Sequence, residues 1–71
     1  MDWVVVSSSN VSAVGYLDDT ATLGVRFHSG SEYHYAGVPR GVYEGLLSAS
    51  SVGAFLDAYV KKAGYPATRV T

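Results

Sequence analysis

The chain contains no cysteine, so no disulfide staples it and no thiolate is available to a structural metal. Two histidines without cysteine give no recognisable zinc spacing, and no metal or other cofactor is expected. Charge of either sign is scarce: five Lys+Arg stand against six Asp+Glu, for a net charge of -1. Like charges never stack more than two deep, as in Asp18-Asp19 and Lys61-Lys62. A nonspecific polyanion binder draws its affinity from a basic surplus, and that surplus is missing. The apolar run near the start, Trp3 to Val6, is short and follows Asp2 with no basic stretch before it. Neither a signal peptide nor a membrane span is expected from it, which makes the cytoplasm the expected location.

What is present is a folded composition. Seventy-one residues make at most one domain, spanning 1–71, near the lower limit at which one core holds a chain without staples. Apolar residues reach 48% and charged ones only 15%, which argues against disorder. Stability must come from packing, alone or completed by a partner.

Asp2 to Ser7 is β-branched and aromatic, and Ser7-Ser8-Ser9-Asn10 is turn chemistry, so a first strand and a tight connection are expected. From Val11 to Leu17 the pattern alternates. It places Val11, Ala13, Gly15 and Leu17 on one face and Ser12, Val14 and Tyr16 on the other. Either face of this strand could be the buried one, which leaves Tyr16 unassigned. After the turn Asp18-Asp19-Thr20, Leu23, Val25 and Phe27 alternate with Thr22, Gly24, Arg26 and His28.

The next connection sets the register. A three-residue loop His28-Ser29-Gly30, with Gly30 in the left-handed position, puts Phe27 opposite Ser31 and Arg26 opposite Glu32. Val25 then faces Tyr33 and Leu23 faces Tyr35, aliphatic-aromatic pairs worth about 0.2 to 1 kcal/mol each. A two-residue Ser29-Gly30 turn would put Glu32 and His34 on the Leu23/Val25/Phe27 face. Burying Glu32 unpaired there would cost several kcal/mol, so that register is rejected.

Gly37 ends the strand, and Pro39 suits the first position of a helix. Pro39, Val42, Tyr43, Leu46 and Leu47 share one helical face, although Gly41 and Gly45 weaken the helix by about 1 kcal/mol each. Ser50 or Ser51 caps a second helix, whose face is Val52, Phe55, Leu56, Tyr59, Val60 and Ala63. Lys61 and Lys62 complement its dipole before Gly64 and Pro66 stop it. The expected fold is α+β: a four-stranded antiparallel sheet in β-β-β-β-α-α order with two C-terminal helices packed on one face. Thr68 to Val70 could add a short edge strand.

Six motifs stand in order along the chain: Ser7-Ser8, Gly15-Tyr16, the Leu-x-Val-x-Phe strand from Leu23 to Gly30, Tyr33-His34-Tyr35, Val38-Pro39 and Ala49 to Gly53. Together they resemble the KTSC domain, a short module found at the C-terminus of some lysyl-tRNA synthetases and as a free-standing protein of bacteria and phages. The resemblance covers most of the chain, with a slightly altered spacing around Ser51. It implies no established chemistry. Its synthetase association implies at most RNA binding, and fold does not dictate function.

The candidate binding residues are Trp3, Tyr16, Arg26, Tyr33, His34, Tyr35 and Arg40. Tyr33 and Tyr35 could stack bases, but the register argument favours packing them under the helices. His28 and His34 lack a third ligand and read as solvent-facing side chains. The serines lack a nucleophile elbow and a His-Asp partner, so turn and cap duty explains them. Free N–H groups near Ser50, Ser51 and Gly53 offer what most helix N-termini offer. Whether Arg40, Lys61, Lys62 and Arg69 converge is left open.

A noncatalytic module that binds a protein partner is therefore expected, with aromatic and Arg side chains as its anchors. If the chain is phage-encoded, as free-standing members of the family often are, that partner would be host machinery such as RNA polymerase or a translation factor. The alternative is an RNA- or tRNA-binding module using Tyr33 or Tyr35 with Arg26, His34 and Arg40 on a sheet face.

Overall fold

The computed structural model describes residues Met1–Thr71. Five strands form one antiparallel meander in which each pairs with the next: β1 (Val4–Val5), β2 (Val11–Leu17), β3 (Thr22–Phe27), β4 (Glu32–Tyr35) and β5 (Ala67–Arg69). Between β4 and β5 come α1 (Arg40–Ser48) and α2 (Val52–Leu56), which runs on into a π-helical turn over Asp57–Lys61. The fold is thus α+β, with the fifth strand closing the β4 edge of the sheet.

The β3–β4 register is the one the turn chemistry dictates. Leu23 pairs with Tyr35, Val25 with Tyr33 and Arg26 with Glu32, while Phe27 N–H donates to Ser31 O at 2.9 Å. Gly30 has a φ of 97°, the left-handed conformation that its turn position requires. Leu23, Val25, Tyr35, Val38, Tyr43, Leu46, Val52, Leu56 and Val60 form the centre of one core between the sheet and the helices.

Val11 departs from simple alternation. It is fully buried in this same core together with Val14, not on the Ala13 face. The cause is a bulge: Val11 pairs with Phe27 and Ala13 with Arg26, so one extra residue of β2 is inserted between them. The bulge shifts the alternation by one position and turns both valines inward. Tyr16 consequently faces the core side and packs against it.

β1 is shorter than the Asp2–Ser7 composition suggests, although Val6 N–H still donates to Ser12 O at 3.1 Å. Pro39 sits one position earlier than expected, as the N-cap of α1, and the helix starts at Arg40. Ser51 caps α2, its Oγ accepting from Ala54 N–H at 3.3 Å. Gly45 is where the helices touch, because a side-chain carbon there would collide with the Phe55 ring. The π turn, marked by Lys62 N–H donating to Asp57 O at 3.0 Å, widens the helix. Val60 therefore comes under Leu56 and is buried, while Tyr59, expected on the core face, stays 58% exposed.

Candidate functional site

The seven residues singled out from the sequence do not form one site. They fall into three places set by the alternation of the strands.

Tyr33 and Tyr35 belong to the helix-facing side of the sheet. Tyr35 is buried, and burial, followed by the neighbouring Tyr33, pushes its phenol above the ordinary value. Its ring is closed to a ligand, which corrects its candidacy as a stacking platform. Tyr33 is half-buried, packs against the core, and meets Phe27 edge-on at 5.9 Å between centroids.

Trp3, Arg26 and His34 meet on the outer face. The Arg26 guanidinium lies 3.9 Å from the centre of the Trp3 ring. Arg26 Nε donates to Glu32 Oε1 at 3.0 Å, and His34 Nε2 lies 2.8 Å from Glu32 Oε2. The Arg26 hydrogen bond, reinforced by His34, holds the Glu32 carboxyl below its ordinary value. Trp3 is half-buried. The reason is the Gly15–Gly24 pair, where β2 and β3 carry no side chains and leave a trough. Met1 and the Trp3 ring lie in it, with Trp3 Cη2 only 2.7 Å from where a Gly24 Cβ would stand.

Tyr16 and Arg40 meet at the start of α1. Tyr16 stacks on Tyr43 at 5.3 Å with 15° between planes, and its hydroxyl donates to Val38 O at 2.5 Å. Arg40 covers the two rings at 5.8 and 5.9 Å and binds both Asp18 carboxylate oxygens at 2.8 Å. Those Asp18 bonds hold Arg40 above its ordinary value. This is a helix-start clamp, and its cation is already matched by Asp18 and, at 3.4 Å, by Glu44.

His28 and His34 sit apart in function: His28 Nε2–H donates to Ser8 O at 2.9 Å, whereas His34 faces Glu32. No group of three His, Asp or Glu side chains is placed to hold a metal ion. No helix is long and apolar enough to cross a membrane.

The largest recess lies where sequence reasoning did not look. A groove of about 570 Å³ runs between the β1 edge and the α1–α2 junction, lined by Val4, Val5, Val6, Leu47, Ala49 and Val52 with Ser7 and Ser50. A second recess of about 290 Å³, with Ala54, Phe55 and Tyr59 along it, shares Ala49 and Ser50 with the first. Neither contains a charged residue. Val5 is 84% exposed, and Val4, Leu47 and Tyr59 are exposed as well. The unbroken run Val4-Val5-Val6 was the available signal, since a strand apolar on both faces has one side more than the core can use.

The family model for the KTSC domain matches residues 7–65. The chain belongs to the KTSC domain family. A protein of Tsukamurella paurometabola is 41% identical over 56 residues, covering 79% of this chain and 84% of that one. One of Stutzerimonas stutzeri is 34% identical over 70 residues, 99% of each. The crystal structure of a KTSC domain protein from Yersinia pestis superposes with a TM-score of 0.88 at 32% identity, covering 99% of this chain and 97% of that chain. The KTSC motifs now have structural duties: Ser8 ties the β1–β2 turn, Gly15-Tyr16 forms trough and clamp, and Tyr33-His34-Tyr35 splits between core and outer network.

Proposed function

We propose that this KTSC domain is a noncatalytic interaction module that takes an extended, apolar segment of a protein partner along the β1 edge. The observation that carries this reading is the uncharged double groove beside a two-residue edge strand. In the β1–β2 ladder Val6 N–H points to Ser12, so the N–H and C=O of Val5 face the open side. An added strand would hydrogen-bond there and place alternate side chains over Leu47 and Val52, with Phe55 and Tyr59 as aromatic anchors beyond. A phage-encoded regulator seated on host machinery in the cytoplasm is one form such a module takes.

The RNA-binding alternative draws on Trp3, Arg26 and His34, which share the outer face. There Arg26 is matched by Glu32, and a carboxylate beside the cation repels phosphate. The protein-binding reading is favoured for that reason.

The test is a pull-down with and without nuclease, run in parallel on the wild type and on Val5→Lys. A lysine at this exposed edge position leaves the core alone and blocks strand addition. A nuclease-resistant protein retained by the wild type and lost by Val5→Lys, with unchanged circular dichroism, supports the proposal. Nuclease-sensitive recovery, together with tRNA binding that weakens steeply with salt, overturns it in favour of RNA.

A further inference from the structure

Four of the five basic side chains are already engaged. Arg26 binds Glu32, Arg40 binds Asp18 and Glu44, Lys62 binds Asp57, and Arg69 donates to Thr71 O and Ser31 Oγ. Lys61 alone has neither an ion pair nor a hydrogen bond, only the ring contact with Phe27. Its ammonium lies 5.4 Å from the centre of the Phe27 ring, at the mouth of a recess of about 290 Å³ lined by Ser9, Asn10, Phe27, His28, Ser29 and Lys61. This recess shares no lining residue with the apolar grooves.

Its lining is rich in unspent donors. The backbone N–H groups of Ser9 and Ser29 bond to nothing within the protein, and neither does the Asn10 side-chain amide or the Ser9 hydroxyl. No carboxylate lines it. The walls are also fixed in advance: His28 donates from Nε2 to Ser8 O and from its backbone N–H to Asn10 O, each at 2.9 Å. Ser8 Oγ in turn accepts from Asn10 and Val11 N–H, so the loop is held on both sides. A preformed concavity of donors around an uncompensated cation is a site for an oxyanion, where charge-assisted hydrogen bonds are the strong ones.

We propose that the Ser9–Asn10–Ser29–Lys61 recess binds a phosphate group, with Lys61 supplying the charge and the two turns the hydrogen bonds. The recess, about 290 Å³, has room for a phosphate or a small phosphomonoester. The site is independent of the groove reading, and either can fail alone.

The test is a titration of the full chain, followed by ¹H–¹⁵N spectra, with inorganic phosphate, with adenosine monophosphate and with sodium chloride at matched ionic strength. The expected result is saturable movement of the Ser9, Asn10 and Ser29 amides with either phosphate compound and not with chloride. Tighter binding of the nucleotide identifies a phosphomonoester as the preferred source, and equal binding identifies the free anion. Lys61→Ala should weaken binding about fivefold, the upper range for one exposed charge pair, and Lys61→Arg should restore most of it. Lys62→Ala, which removes a lysine outside the recess, should leave binding unchanged. Shifts that never saturate, that chloride reproduces, or that Lys61→Ala leaves intact overturn the proposal.

Discussion

The ten strand residues of the β3–β4 hairpin divide between two faces that are held by different physics. On the inner face Leu23, Val25, Tyr33 and Tyr35 press against two helices, and no buried side-chain polar atom lacks a partner. On the outer face Gly24, Arg26, Glu32 and His34 carry little apolar surface, and the chain's own Met1 and Trp3 fill the glycine trough. The inner face is stabilised by area removed from water and so by shape. The outer face relies on a stack and an ion pair near solvent, contributions that are individually small and sensitive to salt and acid. The distinctive Tyr-x-Tyr motif therefore marks the fold, while the residue between its tyrosines belongs to a separate polar network.

The contrast breaks most visibly at Leu23. Leu23→Ala opens a cavity in a fully buried position and should cost about 2 to 5 kcal/mol, a large share of the stability expected of so small a domain. Chemical denaturation should show the loss in the midpoint, with Tm lowered by several degrees for each kcal/mol. A loss below about 1 kcal/mol would mean that the sheet–helix core is not the main stabiliser.

Gly24→Ala probes the same strand from the other side. The new methyl would meet Met1 Sδ and Trp3 Cη2, so it must displace the N-terminal segment or strain the sheet. About 1 to 3 kcal/mol is expected, together with a red shift in the emission of the single tryptophan. Unchanged emission would show that Trp3 does not depend on the trough. A smaller effect is expected at Tyr16, an inward residue that is only partly buried. Tyr16→Phe removes the hydroxyl that donates to Val38 O and should cost about 0.5 to 1.5 kcal/mol, with the Tyr43 stack retained.

Much of this was legible in the chain because local chemistry decided it. His28-Ser29-Gly30 fixed the hairpin register, Ser50-Ser51 announced a cap that Ser51 supplies, and avoiding an unpaired buried Glu32 chose the face. What stayed hidden needed information from elsewhere in the molecule. The bulge that turns Val11 inward is a property of a strand pair, and no alternation within β2 alone reveals it. The π turn that swings Tyr59 outward answers to packing at Leu56 and Val60. Trp3 finds its place only once the turn sets Gly15 beside Gly24, two glycines that separately look like ordinary strand residues. The β1 groove and the Lys61 recess are gaps between elements, which no single segment encodes.

The slightest expected effect separates the two faces by pH. Glu32 is held below its ordinary value of 4.5 by the Arg26 hydrogen bond and then by His34, so its ionised form is favoured by folding. The stabilisation is fully present above the unfolded-state value and is lost as the pH falls through the lower, folded-state value. Glu32→Gln keeps the shape and removes this titration. The wild type and the variant should therefore diverge at neutral pH and converge in acid, in denaturation curves recorded from pH 7 down to about pH 2, below the unperturbed carboxylate range. The difference should shrink with added salt, because the group is near solvent. Leu23→Ala should instead show a deficit that pH and salt leave nearly constant, since burial of a methylene carries no proton. If Glu32→Gln were as destabilised in acid as at neutral pH, the outer network would be held by shape, and the distinction between the faces would disappear.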